Sequence, residues 1–197
     1  MKSCEWAGEP FVEPRSHPWV DAVANAECRY YDLKVCPEHI RTSLEDFVPW
    51  SRYAAVHDFY ALLAWLNHPR SLLETNDCAF TGPEHNEHQE FHKRLQCTGR
   101  VMVLFRDLLR NTQGGQTEAL ATRLHRELAE IDTQLEWGMI GTTIIPVRYL
   151  ELNGQLGSQL MISFWAWGNS TDETMRHLQR VLSNLRRALV HLAKSLA

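Results

Sequence analysis

The chain lacks any apolar run long enough to cross a bilayer, for which an α-helix needs roughly 20 residues. Its longest apolar stretches are short segments such as ALLAWL, residues 61–66. The first fifteen residues also lack a continuous apolar core, so the sequence does not predict a secretory signal. From these absences we expect a cytoplasmic protein that makes no contact with a membrane.

Cysteine pairs at the spacing of metal sites are also missing. The five cysteines are scattered, odd in number and include no Cys-x-x-Cys pair. Disulfide frameworks and structural zinc sites depend on regular cysteine spacing, so the pattern predicts free, buried thiols. Cys78, in a predicted polar loop, is the best-placed candidate for a cysteine nucleophile, because its histidine partner need not be close in sequence.

Several sequence signatures of catalysis do not occur. The chain has no His-Glu-x-x-His, no Gly-rich phosphate loop and no Gly-x-Ser-x-Gly, and no histidine follows a glutamate by three residues. These absences argue against a zincin-type protease, a nucleotide-binding enzyme, an α/β-hydrolase and a di-iron carboxylate bundle.

Composition indicates an ordinary globular protein. The 197 residues carry a net charge of -4, and 44% of them are hydrophobic. We expect a single globular domain over residues 1–197, because this length supports one substantial core. Within it, residues 1–18 contain three prolines and no periodicity, which predicts a proline-rich N-terminal arm.

Apolar residues three and four positions apart indicate amphipathic helices. These spacings predict helices near residues 37–48, 51–66, 83–109, 120–135 and 171–196. Ser170 and Glu173 form a predicted capping box at the start of the last helix. Residues 67–83 are predicted to form a loop that is long for a compact domain, and loops of this length are often functional.

Period-two segments indicate strands at residues 28–35 and within 142–167. Asn153-Gly154 is a turn signal inside the second segment, because both residues tolerate positive φ. Together these elements predict an α+β fold, with four to five helices packed on a small antiparallel sheet that contains a β-hairpin near 143–167.

The segment GPEHNEHQEFH, residues 82–92, contains three histidines. On the predicted helix, His88 and His92 are four residues apart and His85 and His88 are three apart, so either pair could bind one ion. Seven helical residues span roughly 10 Å, so His85 and His92 would not share an ion. Zinc or iron would suit such donors. The competing interpretation is that they are polar residues in the first turn of a helix.

The last predicted helix is basic. It carries Arg176, Arg180, Arg186, Arg187 and Lys194 against two acidic residues near its start. A nucleic acid could bind such a face, but cations are also favourable near a helix C-terminus. With a negative net charge overall, nucleic acid is not the partner we expect.

The segment LMISFWAW, residues 160–167, is apolar on both faces of a predicted strand. An antiparallel strand with one solvated face should alternate more cleanly. The face bearing Met161, Trp165 and Trp167 must therefore be covered by the chain itself, by a ligand or by another chain. If the strand lay at a sheet edge, it could also accept a peptide by strand addition.

These observations lead to two functional hypotheses. The first is a non-catalytic binding or accessory protein that uses Met161, Trp165 and Trp167 to bind a protein or peptide partner, as a homo-oligomer or a complex subunit. The alternative is a metal-dependent enzyme with ligands among His85, His88 and His92, in which the loop 67–83 forms the wall of the site.

Overall fold

The computed structural model describes residues 2–5, 14–18 and 49–196, with side chains in the second and third of these ranges. This part of the chain has an α+β fold, as predicted, with four α-helices packed on a seven-stranded sheet. Within the described ranges no helix is both long and apolar enough to cross a membrane. The strand predicted at 28–35 and the helix predicted at 37–48 lie outside the described residues.

The helices and strands alternate irregularly along the chain. The helices are α1 (Ala54–Leu66), α2 (Leu108–Asn111), α3 (Gln116–Ile131) and α4 (Thr171–Leu196). The strands are β1 (Lys2–Glu5), β2 (Arg15–His17), β3 (Leu73–Phe80), β4 (Glu84–His85), β5 (Leu95–Phe105), β6 (Gly138–Tyr149) and β7 (Gln155–Gly168).

The sheet is mixed and larger than the small antiparallel sheet expected from the sequence. Its order is β1-β6-β7-β5-β3, and the pairs from β6 to β3 are antiparallel. β1 and β2 both run parallel to β6 and pair with different parts of it, while β4 pairs with β5. β7 is therefore a central strand with both edges paired, so the strand-addition hypothesis for β7 is wrong.

β6 and β7 pair along their whole length, from Gly138 opposite Ala166 to Tyr149 opposite Gln155. Residues 150–154 connect them and begin with a turn of 3-10 helix. Asn153 and Gly154 close this connection with φ values of 54° and 77°. Both residue types tolerate left-handed backbone, which explains the turn signal at this position.

The helix predicted over 83–109 is wrong: the segment contains the short strand β4, a turn and a short 3-10 helix, and then forms β5 from Leu95. Residues 97, 101, 103 and 105 of β5 point into the core, which is the alternation of a strand. Thr98, Gly99 and the β-branched Val101 also weaken a helix here. Other apolar residues of β5 face the opposite side of the sheet. Counted together with the core-facing residues, they produce the three-and-four spacing that predicted a helix.

The loop predicted over 67–83 is also wrong over residues 73–80, because these residues form β3. Leu73 pairs with Phe105 and Phe80 with Gly99, but the register shifts between Thr75 and Cys78. A bulge of this kind interrupts period-two alternation. The polar run through the bulge therefore resembled a loop in the sequence.

The main core lies between one face of the sheet and helices α1, α3 and α4. Leu160, Ile162 and Phe164 of β7 are completely buried there. The ring of Phe164 lies 5.9 Å from that of Phe59 in α1, centroid to centroid. Gly99 faces Phe164 across the strand pair, and a Cβ there would collide with its ring.

A capping box starts α4, as predicted. The Oγ of Ser170 accepts a 3.2 Å hydrogen bond from the Glu173 amide, and Glu173 Oε2 accepts one of 2.9 Å from the Asn169 amide. α1 starts differently from the expectation, because Ser51 lies in a 3-10 turn and Tyr53 is the N-cap.

Candidate functional site

The sheet has a second face, opposite the helices, which carries two distinct groups of side chains. Residues that are register partners across β6, β7 and β5 lie side by side on this face. Met139, Trp165 and Thr98 form one such row, and Thr143, Met161 and Met102 form another. Trp165, Met139 and Met161 are half-buried. At one end of this face the residues are aromatic, and at the other they are polar and charged.

Trp167 lies at the aromatic end and is only 1% exposed. Its indole N–H donates a 2.9 Å hydrogen bond to Glu90 Oε2. The ring of Phe91 contacts it edge-on, with centroids 4.7 Å apart. Trp167 is thus a buried support for the loop that follows β4, rather than an exposed contact residue.

This loop has an unusual backbone. Gln89, Phe91 and His92 have φ values of 49°, 54° and 54°. Left-handed backbone costs a residue with a Cβ roughly 1–2 kcal/mol, and three such residues lie within four positions. The conformation presents Phe91, which is 37% exposed, between the tryptophans 137 and 167.

Asn86 fixes the shape of the same loop from inside. It is 1% exposed, and its Nδ2 donates to the carbonyl oxygens of Glu90 and Lys93 at 3.0 and 2.9 Å. These two bonds satisfy backbone carbonyls that would otherwise need solvent. The residue that holds the histidine-rich segment in shape is therefore Asn86, and not one of its histidines.

Lys93 joins the loop to α4 and to the aromatic residues. Its Nζ lies 2.8 Å from Glu173 Oε1 and 4.3 Å from the centroid of the Trp137 ring. The hydrogen bond from Lys93, followed by that from the Asn169 amide, lowers the pKa of Glu173. A cation held over a tryptophan ring is favourable, and it keeps Trp137 in place.

We call the half-buried and exposed residues at this end the aromatic patch. Its members are Phe91, Trp137, Met139, Met161 and Trp165. Among the hydrogen bonds and ring contacts of the described side chains, none involves Trp165. A tryptophan in this state combines a large apolar surface with an available donor, which is typical of contact residues.

The polar end of the second face centres on a buried hydrogen bond between His17 and Glu74. His17 Nε2 lies 3.1 Å from Glu74 Oε1, and each side chain is 2% exposed. Arg106 Nη1 approaches the other oxygen of Glu74 at 3.5 Å. The ring of Tyr149 lies 5.6 Å from that of His17, and burial followed by the charge of Glu74 raises the pKa of its hydroxyl.

A second set of polar contacts extends this network across the bulge of β3. Asp77 Oδ2 accepts hydrogen bonds from Arg15 at 2.9 Å and from Arg100 at 3.1 Å. Asn76 Nδ2 donates to the buried Gln159 at 3.1 Å. Since Arg15 and His17 both belong to β2, these contacts attach β2 to the sheet. Sequence reasoning missed the network because its members come from four strands with no shared motif.

The three histidines expected as metal ligands are all exposed. His85 lies in β4, His88 in the following turn and His92 in a short 3-10 helix. The helix that would have aligned them does not form. Across residues 14–18 and 49–196, no group of three or more His, Cys, Asp or Glu side chains is arranged to hold a metal ion.

Cys78, the candidate nucleophile, lies in β3 instead of a loop. Burial, and secondarily the charge of Asp77, raises its pKa to about 12. The thiol is therefore protonated at neutral pH, and a protonated thiol is a poor nucleophile. Burial also raises the pKa of Cys97, the other free cysteine among the described residues.

Comparison of the chain with protein-family models, curated proteins and solved structures finds no match.

Proposed function

We propose that this chain is a non-catalytic, cytoplasmic binding protein that acts through the aromatic patch and assembles there with a second copy of itself. The observation that carries this proposal is Phe91, an aromatic residue in left-handed backbone that is 37% exposed. Free, protonated thiols at Cys78 and Cys97 suit the reducing cytoplasm.

The strained loop supports a contact role for the patch. Backbone strain costs of order 1–3 kcal/mol per residue, and it clusters at ligand clamps and other functional sites. Here the strain is compensated by Trp167, Glu90 and Asn86, which are buried or hydrogen-bonded beneath the loop. These contacts hold the Phe91 ring at the surface instead of letting it collapse inward.

The size of the patch supports assembly. An aromatic side chain buries about 150 to 250 Å² in all, but the patch residues are already partly buried in the monomer, so together they retain roughly 200–400 Å² for a partner. A stable interface needs about 800 Å² from each partner. The patch thus provides the apolar centre of an interface, and the residues around it would provide the rim.

A second copy is the occupant that best fits the chemistry of the patch. Its centre, formed by Met139, Trp165 and Thr98, carries no charge. Two such surfaces can meet around a two-fold axis without the like-charge repulsion that opposes self-association. Two sheets can also pack face to face at about 10 Å when their side chains interdigitate.

Sedimentation velocity over a wide range of protein concentrations tests the proposal. We expect the wild type to sediment as a dimer and Trp165→Ala to shift the distribution to monomer, with a loss of less than about 2 kcal/mol in the stability of the monomer. Trp50→Ala is a matched control, because Trp50 is also half-buried but lies outside the patch. A monomeric wild type, or an equal shift in the two variants, would overturn the proposal.

A further inference from the structure

We propose that a groove along α4 binds an acidic segment of another protein. This goes beyond the self-association proposed above, because the groove lies on the outer side of a helix whose other side packs on the sheet. The groove measures about 560 Å³. Its lining residues include Asp132, Arg176, Arg180, Asn184 and Arg187.

The groove is positive in a chain that is negative overall. Arg176, Arg180 and Arg187 contribute three positive charges and Asp132 one negative charge, which leaves +2. The whole chain carries -4. A local charge opposite in sign to the net charge attracts an acidic partner to this surface.

Asp132 already shows how a carboxylate binds in the groove. Its two oxygens accept hydrogen bonds of 2.6 and 2.8 Å from Nε and Nη2 of Arg180, in the forked geometry that guanidinium and carboxylate prefer. Asn184 donates to the same carboxylate at 2.9 Å and is only 4% exposed, so it fixes Asp132 from below.

Arg176 and Arg187 flank this bound carboxylate, and both are exposed. Among the ion pairs formed by described residues, none involves either arginine. They can therefore accept carboxylates from outside without breaking an existing pair. Eleven helical residues separate them, or roughly 16 Å along the axis. An extended peptide covers that distance in about five residues.

This arrangement favours a protein segment over a nucleic acid. Asp132 stays ionised at neutral pH, because Arg180, followed by Asn184, holds its pKa at about 2. A fixed negative charge in the middle of the groove repels a continuous row of phosphates. Two carboxylates about five residues apart would instead pair with the outer arginines and pass over Asp132.

Fluorescence anisotropy with a labelled peptide tests this inference in the full chain. The probe is an uncharged Gly/Ser peptide with two aspartates about five residues apart, and a second peptide carries the same aspartates side by side. We expect the spaced peptide to bind more tightly. Arg176→Gln with Arg187→Gln should weaken its binding by about tenfold or more, since two exposed charge pairs are lost.

The control removes the same charge elsewhere. Arg186→Gln with Arg123→Gln changes two exposed arginines that do not line the groove, and we expect less than about a twofold effect from altered net charge alone. Equal loss in both double variants would overturn the inference, as would no measurable peptide binding. Tighter binding of a single-stranded oligonucleotide of matched charge would also overturn it. Trp165→Ala should leave peptide binding unchanged, which separates this test from that of self-association.

Discussion

The indole N–H of Trp167 donates a 2.9 Å hydrogen bond to Glu90 Oε2. This bond connects a fully buried residue of the central strand to an exposed loop. The bond also distinguishes Trp167 from Trp165, although both tryptophans lie on the same face of β7. Trp167 stabilises the loop from beneath, whereas Trp165 remains half-buried at the surface.

The two tryptophans should therefore differ in their contribution to stability. We predict that Trp167→Ala lowers the free energy of unfolding by about 3–5 kcal/mol, because it leaves a large cavity and removes the bond to Glu90. Trp165→Ala should cost less than about 2 kcal/mol in the monomer, since its side chain is already partly solvated. Urea denaturation at low protein concentration measures both values. Equal losses would contradict the distinction.

The left-handed residues of the loop should respond differently to glycine. His92 has a φ of 54° and is exposed, so His92→Gly should raise the free energy of unfolding by about 0.5–1 kcal/mol through relief of strain. Phe91→Gly relieves the same strain but loses the contacts with Trp137 and Trp167, and we expect a net loss. Urea midpoints of both variants check this pair. A destabilised His92→Gly variant would rule out the strain argument.

The pair formed by Asp132 and Arg180 should make stability depend on pH in the acid range. The folded-state pKa of Asp132 is about 2, below the unfolded value of about 3.9. Its contribution is therefore complete above the unfolded pKa and is lost as pH falls through the folded pKa. We predict that Asp132→Asn is less stable than wild type near neutral pH and that the difference shrinks toward about pH 2. Thermal unfolding across this range measures it; a constant difference would contradict the assignment.

Gly99 should be intolerant of any side chain. A Cβ at this position would collide with the ring of Phe164 and would lie 2.8 Å from the carbonyl oxygen of Ala79. We predict that Gly99→Ala lowers the free energy of unfolding by about 2 kcal/mol, because overpacking a core costs typically 1–3 kcal/mol. Gly114→Ala is the control, since no atom lies within 4 Å of its added Cβ. Similar stability for the two variants would argue against the close packing of Phe164 on Gly99.

The buried network beneath β2 should be essential for stability. Glu74 is a buried carboxylate that pairs with Arg106 and contacts His17. Removing one member of a buried ion pair typically costs 3–5 kcal/mol, and we predict about this loss for Glu74→Ala. Glu84→Ala removes an exposed carboxylate from β4 and should change stability by less than about 0.5 kcal/mol. Guanidinium denaturation distinguishes the two. A loss below about 1 kcal/mol for Glu74→Ala would indicate that the ion pair is not required.

The sequence predicted α1, α3 and α4 because each carries an uninterrupted apolar stripe that packs on the sheet. It misplaced β3 and β5 for physical reasons that periodicity does not capture. The bulge in β3 breaks the alternation between Thr75 and Cys78. In β5, both faces are partly apolar, so apolar residues on opposite sides of the strand recur at the three-and-four spacing that is typical of one face of a helix.

The candidate site was predicted only in part. Alternation correctly placed Met161 and Trp165 on a common face, because cross-strand pairing preserves it. Which of these side chains is covered depends on segments distant in sequence, and Trp167 is covered by loop residues 76 and 77 positions earlier in the chain. The network around Glu74 depends on contacts between β2 and β3. Local sequence patterns do not predict contacts between segments so far apart in the chain.

The parallel pairing of β1 with β6 also has a consequence for the order of synthesis. Lys2 is the register partner of Met139, so the residue that pairs with it is translated 137 positions later. At about 5–20 residues per second, the segment waits roughly seven to thirty seconds on the ribosome before its partner exists. Contacts between such distant residues also slow folding after release. We expect β6, β7 and β5 to assemble first and the edge formed by β1 and β2 to be completed last, so the newly made protein passes through a stage in which the outer edge of β6 can pair with another chain.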